Sequence, residues 1–213
     1  MNFSLIAPFW PLFVKGAAVT FVASLLALAL GLALGLWIGL ARSSRWRLLR
    51  WASGCYTFLL RGTPLIVQLF LIYFALPQLG LNLPPFAAGV IGIGLNSSAY
   101  VAELVRGALA SVPQGQWESA HILGLSWHQS LWRVILPQSL KTLLPALGNE
   151  FVSLIKESSL LSVLAITDLT QAGSQVRSVT YASFESFAVV GLLYLILTTL
   201  FGAVTRLLEK KVA

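Results

Sequence analysis

The sequence predicts an all-α integral membrane protein of five transmembrane helices, with one cytoplasmic segment between the third and the fourth. Three observations carry this. Hydrophobic residues make up 57% of the 213 residues and charged residues only 10%, where a soluble domain carries about 25% charge. The mean hydropathy is +0.84. Uncharged stretches of 26 and 41 residues alternate with short basic clusters. The chain carries 14 Lys and Arg against 7 Asp and Glu, a net charge of +7. Its single cysteine, Cys55, excludes an intrachain disulfide and a Cys-rich metal framework.

A bilayer-spanning helix needs about 20 mostly apolar residues. Residues 16–41, between Lys15 and Arg42, form the first span. A secretory signal peptide is disfavoured there, because residues 1–14 hold no Lys or Arg and the apolar run is too long. Gly31, Gly35 and Gly39 place a smooth stripe along its second half. Such a stripe permits close approach of another helix, although small residues are also tolerated generally in membrane helices. After Arg61 the next charge is Glu103. That stretch is too long for one helix and breaks near Pro77, Pro84 and Pro85, beside Gly80 and Asn82. A second span over about 55–76 and a third over 86–106 follow, and the last is 186–205.

Residues 139–165 are ambiguous, since they hold Lys141, Glu150, Lys156 and Glu157. Short basic loops stay cytoplasmic. The Arg42–Arg50 loop and the tail with Arg206, Lys210 and Lys211 are both basic, so an even number of crossings must separate them. Residues 139–165 therefore cross as the fourth span, the N-terminus lies outside and the C-terminus lies in the cytoplasm. Orientation thereby accounts for much of the positive charge, and nucleic-acid binding becomes an unnecessary hypothesis.

The cytoplasmic segment 107–138 predicts a helix over Gln116–His121, a turn at Gly124, a second short helix capped by Ser126, and a close at Pro137. Leu123, Leu125, Trp127, Leu131, Trp132, Val134 and Ile135 give it more apolar surface than an isolated loop can bury. It reads either as a helix lying in the headgroups or as a docking element for a cytoplasmic partner.

Glu118-Ser119-Ala120, Gly124 six residues after the Glu, and Val134-Ile135-Leu136-Pro137 resemble the EAA motif of ABC importer permeases, with Ser119 and Val134 as mild departures. Further motifs resemble the polar amino acid subfamily: Arg61-Gly62-Thr63-Pro64-Leu65 with Gln68, Asn96-Ser97-Ser98-Ala99-Tyr100 with Glu103, and Gly148-Asn149-Glu150-Phe151 followed by Lys156-Glu157-Ser158-Ser159-Leu160. That subfamily includes histidine, arginine, glutamine and cystine permeases, and the likeness runs from about residue 10 to 210. It implies a type I importer permease core in a bacterial inner membrane. It also implies that Glu118, Ser119, Ala120, Gly124, Leu136 and Pro137 form the coupling segment for an ATP-binding-cassette ATPase dimer. A second permease copy or a sister permease and an extracytoplasmic amino-acid-binding protein complete the implied partners. The chain shows no GxxxxGK[ST] phosphate loop, so ATP and Mg belong to the partner ATPase and no cofactor is expected here.

Ionisable residues inside a span are costly and mark functional sites by default. Asn96, Tyr100 and Glu103 fall on one face of span three, and Glu150, Ser153 and Glu157 on one face of span four. Gln68 comes from span two. The candidate substrate residues are Glu150, Asn96, Tyr100, Glu103, Gln68 and Ser153. The resemblance places a Glu in the position of Glu150 at the substrate site, where it would take the α-ammonium or a cationic side chain of a polar, including basic, amino acid. Asn96 and Gln68 would serve equally to hold the bundle, and Glu103 to pair with Arg106. The outer stretch 161–185, with Asp168, Gln171, Gln175 and Arg177, offers polar surface for a delivering protein or a merely solvated loop.

An intramembrane enzyme is disfavoured: His121 and His128 both lie in the cytoplasmic segment, and Cys55 has no base beside it. An ion channel would not require a Gly-centred docking segment. A scaffold would gain nothing from polar stripes on three helices.

Overall fold

The computed structural model describes the backbone of residues 3–212 and the side chains of 3–207. The side chains of Lys210 and Lys211, which belong to the basic tail used for orientation, lie outside the described residues. Every regular element described is helical. The helices are α1 (Trp10–Arg42), α2 (Arg47–Gly62), α3 (Leu65–Phe70), α4 (Pro85–Ala110), α5 (Gln114–Ile122), α6 (Trp127–Ser130), α7 (Leu136–Glu157), α8 (Leu169–Thr180) and α9 (Ser183–Val212).

Among the described residues three helical runs are long and apolar enough to cross a membrane: Phe3–Arg42, Pro85–Ala110 and Ser183–Leu207. They coincide with the first, third and last expected spans. The second expected span is not one straight helix. It breaks at Gly62-Thr63-Pro64, and Arg47–Gly62 and Leu65–Leu79 are bent by 102°. Pro64 holds Thr63 extended, at φ −118° and ψ 146°, as the residue before proline prefers. Helix α7 covers the stretch expected as the fourth span but is not among these runs, because Lys141, Asn149, Glu150, Lys156 and Glu157 interrupt its apolar residues.

The small-residue stripe of α1 is an interface. A Cβ on Gly31 would lie 2.7 Å from Ser97 Oγ, one on Gly35 2.6 Å from Val101 Cβ, and one on Gly39 2.6 Å from Val105 Cβ. Helix α4 thus lies against the bare backbone of α1, an approach no larger residue permits. Around this pair, Ala23, Ala27, Leu69, Ile93, Leu154 and Leu161 form one buried cluster, and Val101, Val105, Leu131, Ile135 and Leu143 another.

Pro137 does not close the cytoplasmic segment, contrary to expectation. The helical run continues from α6 through a π-turn over Leu131–Ile135 into α7, with the Leu136 N–H donating to Leu131 C=O. A proline at 137 cannot donate to the Arg133 carbonyl and would crowd it; widening the preceding turn accommodates the ring. The same device recurs at Leu71–Ala75, where the Leu76 N–H donates to Leu71 C=O one residue before Pro77.

The stretch 161–185 is not an open polar loop. Asp168 is fully buried and caps α8, accepting from the N–H groups of Gln171 (2.9 Å) and Thr170 (3.1 Å). The Tyr194 hydroxyl of α9 donates to it at 3.2 Å. Burial pushes the Asp168 carboxyl up, and the hydrogen bonds from Gln171, Thr170 and Tyr194 oppose that. An Asp at the N-cap satisfies helix-end donors, so this side chain anchors α8 rather than facing a partner.

Candidate functional site

Helices α1, α2, α3, α4 and α7 bring the expected substrate residues into two levels. The deeper level is held by amides. Gln68 and Asn96 are buried, and the Asn96 Nδ2 donates to Gln68 Oε1 at 3.0 Å. Both amides also donate to the Leu60 carbonyl, Gln68 at 2.7 Å and Asn96 at 3.1 Å. Gln68 Nε2 reaches Thr63 Oγ1 as well, at 2.8 Å. A helix end leaves its last carbonyls without intrahelical partners. These two amides supply partners where α2 breaks, so their hydrogen bonding fixes the corner between α2 and α3.

Glu150 stands on α7, which packs against α1 and α4. Its Oε1 accepts from Ser97 Oγ of α4 at 2.8 Å. Ser97 is buried where Gly31 leaves room for it. One hydroxyl supplies one hydrogen bond, whereas an ionised carboxylate accepts about four. The group is therefore positioned by Ser97 with acceptor capacity to spare. Ser153, one turn further along α7, is half-buried. The Ser24 hydroxyl of α1 reaches the Leu154 carbonyl at 3.3 Å and ties α7 to the α1–α4 pair.

The second level is ionic. Glu103 meets three guanidinium groups. Arg42 Nε is 2.6 Å from Oε1, at an angle too oblique for a hydrogen bond. Arg106 Nε donates to Oε2 at 2.9 Å, and Arg61 stands 3.8 Å away. Arg61 rests over the ring of Tyr100, 5.1 Å from its centroid. Gly54 makes space for Arg42, since a Cβ there would sit 2.8 Å from its Nη1. An open cavity of about 350 Å³ lies beside these groups, lined by Arg42, Thr57, Phe58, Arg61 and Glu103 among others. Arg42 on α1 and Arg61 on α2 were not legible as partners of Glu103, because pairing between distant segments leaves no periodic signal. Ser97 was visible only as part of a motif.

The expected coupling residues form a compact exposed element. Helix α5 ends in a Schellman turn: Leu125 N–H donates to Ala120 C=O, Gly124 N–H donates to His121 C=O, and Gly124 has φ +77°. A glycine suits that left-handed position, which costs other residues strain. Ser126 and Gln129 then make a full capping box at the start of α6. Ala120 is buried, whereas Ile122 and Leu123 are 84% and 78% exposed. Glu118 is exposed and accepts from Gln114 Nε2 at 3.0 Å. Two bare aliphatic side chains beside a carboxylate form a small amphipathic knob. Leu136 is half-buried and Pro137 exposed at the base of α7.

Residues 31–213 match the family described as binding-protein-dependent transport system inner membrane component. The chain is 37% identical over 204 residues to a probable amino-acid ABC transporter permease protein, YckA, of Bacillus subtilis (strain 168), covering 96% of this chain and 90% of that protein. It is 38% identical over 212 residues to the glutamine transport system permease protein GlnP of Escherichia coli (strain K12), covering 99% and 97%. Among solved structures, it resembles a chain of an amino acid ABC transporter crystallised with histidines, at 39% identity and a TM-score of 0.94, covering 99% of each chain.

Proposed function

Because this chain belongs to the family of binding-protein-dependent transport system inner membrane components, and is a permease component of amino-acid ABC importers, we propose that it carries polar amino acids across a bacterial inner membrane as half of a dimeric pore. The type I core is completed by a second copy or a sister permease, since one bundle of this size encloses no full passage. On this reading the chain has five spans, with the broken α2–α3 pair as the second and α7 as the fourth. Its N-terminus faces outward, toward an amino-acid-binding protein, and its C-terminus lies in the cytoplasm.

The observation that carries the coupling role is the knob of Ile122 and Leu123 beside Glu118, held rigid by the Schellman turn at Gly124. It docks on an ATPase subunit, which supplies the ATP and Mg chemistry. Closure of the ATPase pair moves α5 and α6, and the continuous run from α6 into α7 transmits that movement to Glu150. Glu150, steadied by Ser97, takes the α-ammonium or a cationic side chain of the substrate. Tyr100 and Glu103 lie on the passage below it, and Gln68 and Asn96 hold the corner that shapes it.

Co-purification tests the coupling role. Gly124→Val and Glu118→Lys are expected to leave the protein inserted while reducing recovery of the ATPase, and full recovery with both variants rejects the assignment. Whole-cell uptake tests the site. Glu150→Gln is expected to weaken apparent affinity roughly 10- to 100-fold at normal abundance; unchanged uptake removes Glu150 from the site.

A further inference from the structure

Four of the five exposed tryptophans cluster around the α1–α2 turn and the entry to α7, and the fifth, Trp10, lies at the opposite end of α1. Trp37 near the end of α1, Trp46 in the turn after it, Trp51 early in α2 and Trp132 at the entry to α7 are all exposed. Tryptophan rings concentrate at the headgroup level of a membrane. Arg45, Arg47, Arg50 and Arg133 are exposed at the same level.

A cleft of about 500 Å³ opens there. One wall is the α1–α2 turn, with Ser44, Arg45, Trp46 and Leu49, and the other is the start of α6, with Ser126, Trp127 and His128. The Arg45 guanidinium lies over the Trp127 ring, 5.5 Å from its centroid, and no carboxylate pairs with it among the described residues. Ser44 Oγ accepts from the Trp46 N–H at 3.1 Å, which orders the turn and leaves its own O–H to donate. The cleft therefore gathers a guanidinium, an imidazole and two hydroxyls beside the apolar surfaces of Trp46 and Leu49, with no acid in its lining.

We propose that this cleft binds the phosphate of an anionic phospholipid from the cytoplasmic leaflet. The donors suit a phosphodiester, the apolar wall suits the first methylenes of its chains, and the tryptophans set the cleft at headgroup depth. A soluble phosphate would match the donors but not the apolar wall. The bound lipid bridges the α1–α2 turn and the segment that follows α5, so it braces the docking knob against the membrane. The inference rests on the inward orientation proposed above, which a reporter fused after Ala213 reads separately.

The test uses the complete permease–ATPase complex in nanodiscs of phosphatidylcholine with graded phosphatidylglycerol. Either lipid carries brominated chains, and tryptophan quenching reports the preference between them. Wild type is expected to prefer phosphatidylglycerol. Arg45→Gln is expected to cut that preference about 10-fold or more, the loss of a charge-assisted hydrogen bond. Arg47→Gln, whose side chain is outside the cleft, is expected to lose clearly less, only the diffuse attraction of one cation near an anionic surface. Equal losses in the two variants mean diffuse attraction and overturn the site, as does the absence of any preference in wild type, including through coverage by the ATPase. Abolition of the preference by excess inorganic phosphate overturns the lipid assignment. The recovered amount of intact complex shows that each variant folds.

Discussion

Helices α4 and α9 are both apolar enough to span a membrane, yet they stand in opposite relations to the protein. The apolar window of α4 has a hydropathy of 1.3 and is 67% buried inside the chain, whereas that of α9 has 2.3 and is only 6% buried. In a soluble domain the more apolar helix would be the inner one. Here the order is reversed because lipid is as apolar as leucine, so burial inside the bundle rewards close packing and hydrogen bonding instead. Helix α4 supplies both, with Gly92 and Gly94 in its interior, Ser97 and Ser98 hydrogen-bonded, and the α1 glycines against its face. Helix α9 offers Leu192, Leu195, Ile196, Leu200 and Leu207 outward. Of these two helices, the one that carries the polar candidate residues Asn96, Tyr100 and Glu103 is thus the one that looks less like a membrane span.

The comparison breaks most severely at the contact between α1 and α4. Gly35→Leu would drive a side chain into Val101 and the Ser98 carbonyl, both within 2.7 Å of the new Cβ. Backbone cannot yield there, and a loss of about 3 kcal/mol or more is expected. Thermal unfolding in detergent, or the yield of folded protein, measures it. An intermediate effect is expected from Asn96→Ala, which strips a buried hydrogen bond from Gln68 and one from the Leu60 carbonyl. A loss of about 1–2 kcal/mol is expected, accompanied by faster proteolysis near the Gly62–Pro64 corner. The smallest effect belongs to α9. Leu195→Ala exchanges one lipid-facing side chain for another and should change stability by under about 0.5 kcal/mol. A much larger loss would show that this face meets protein rather than lipid, and would identify α9 as part of the contact between permease subunits.

The same comparison explains which parts of the architecture were legible beforehand. Uncharged length revealed α1, α4 and α9 directly. Helix α7 was reached only by counting crossings between basic segments, because its polar residues mask the apolar run. The break in the second span is written in Gly62-Thr63-Pro64, but inside an uncharged stretch these residues read as part of a motif rather than as a corner. Asp168, followed three residues later by Gln171, was equally visible as a helix cap, yet in a polar stretch it resembled surface. Pro137 looked like a terminator because a proline after a helix ordinarily is one, and a π-turn is invisible in a hydrophobic pattern. For the site, helical spacing placed Glu150 with Ser153 and Asn96 with Tyr100 and Glu103. Spacing could not show that Gln68 and Asn96 spend their donors on the Leu60 carbonyl, or that Glu103 gathers arginines from α1 and α2.

During synthesis α1 enters the bilayer before its neighbour has been made, leaving Gly31, Gly35 and Gly39 against acyl chains until α4 emerges. Helix α4 is the more reluctant of the two to partition into lipid, since Asn96, Ser97 and Glu103 penalise it there. Docking on α1 supplies shelter for those groups and closes the unfilled stripe in the same step. Biogenesis is therefore expected to be sequential: α1 acts as an intramolecular template, and insertion of α4 becomes stable only once that template is in place.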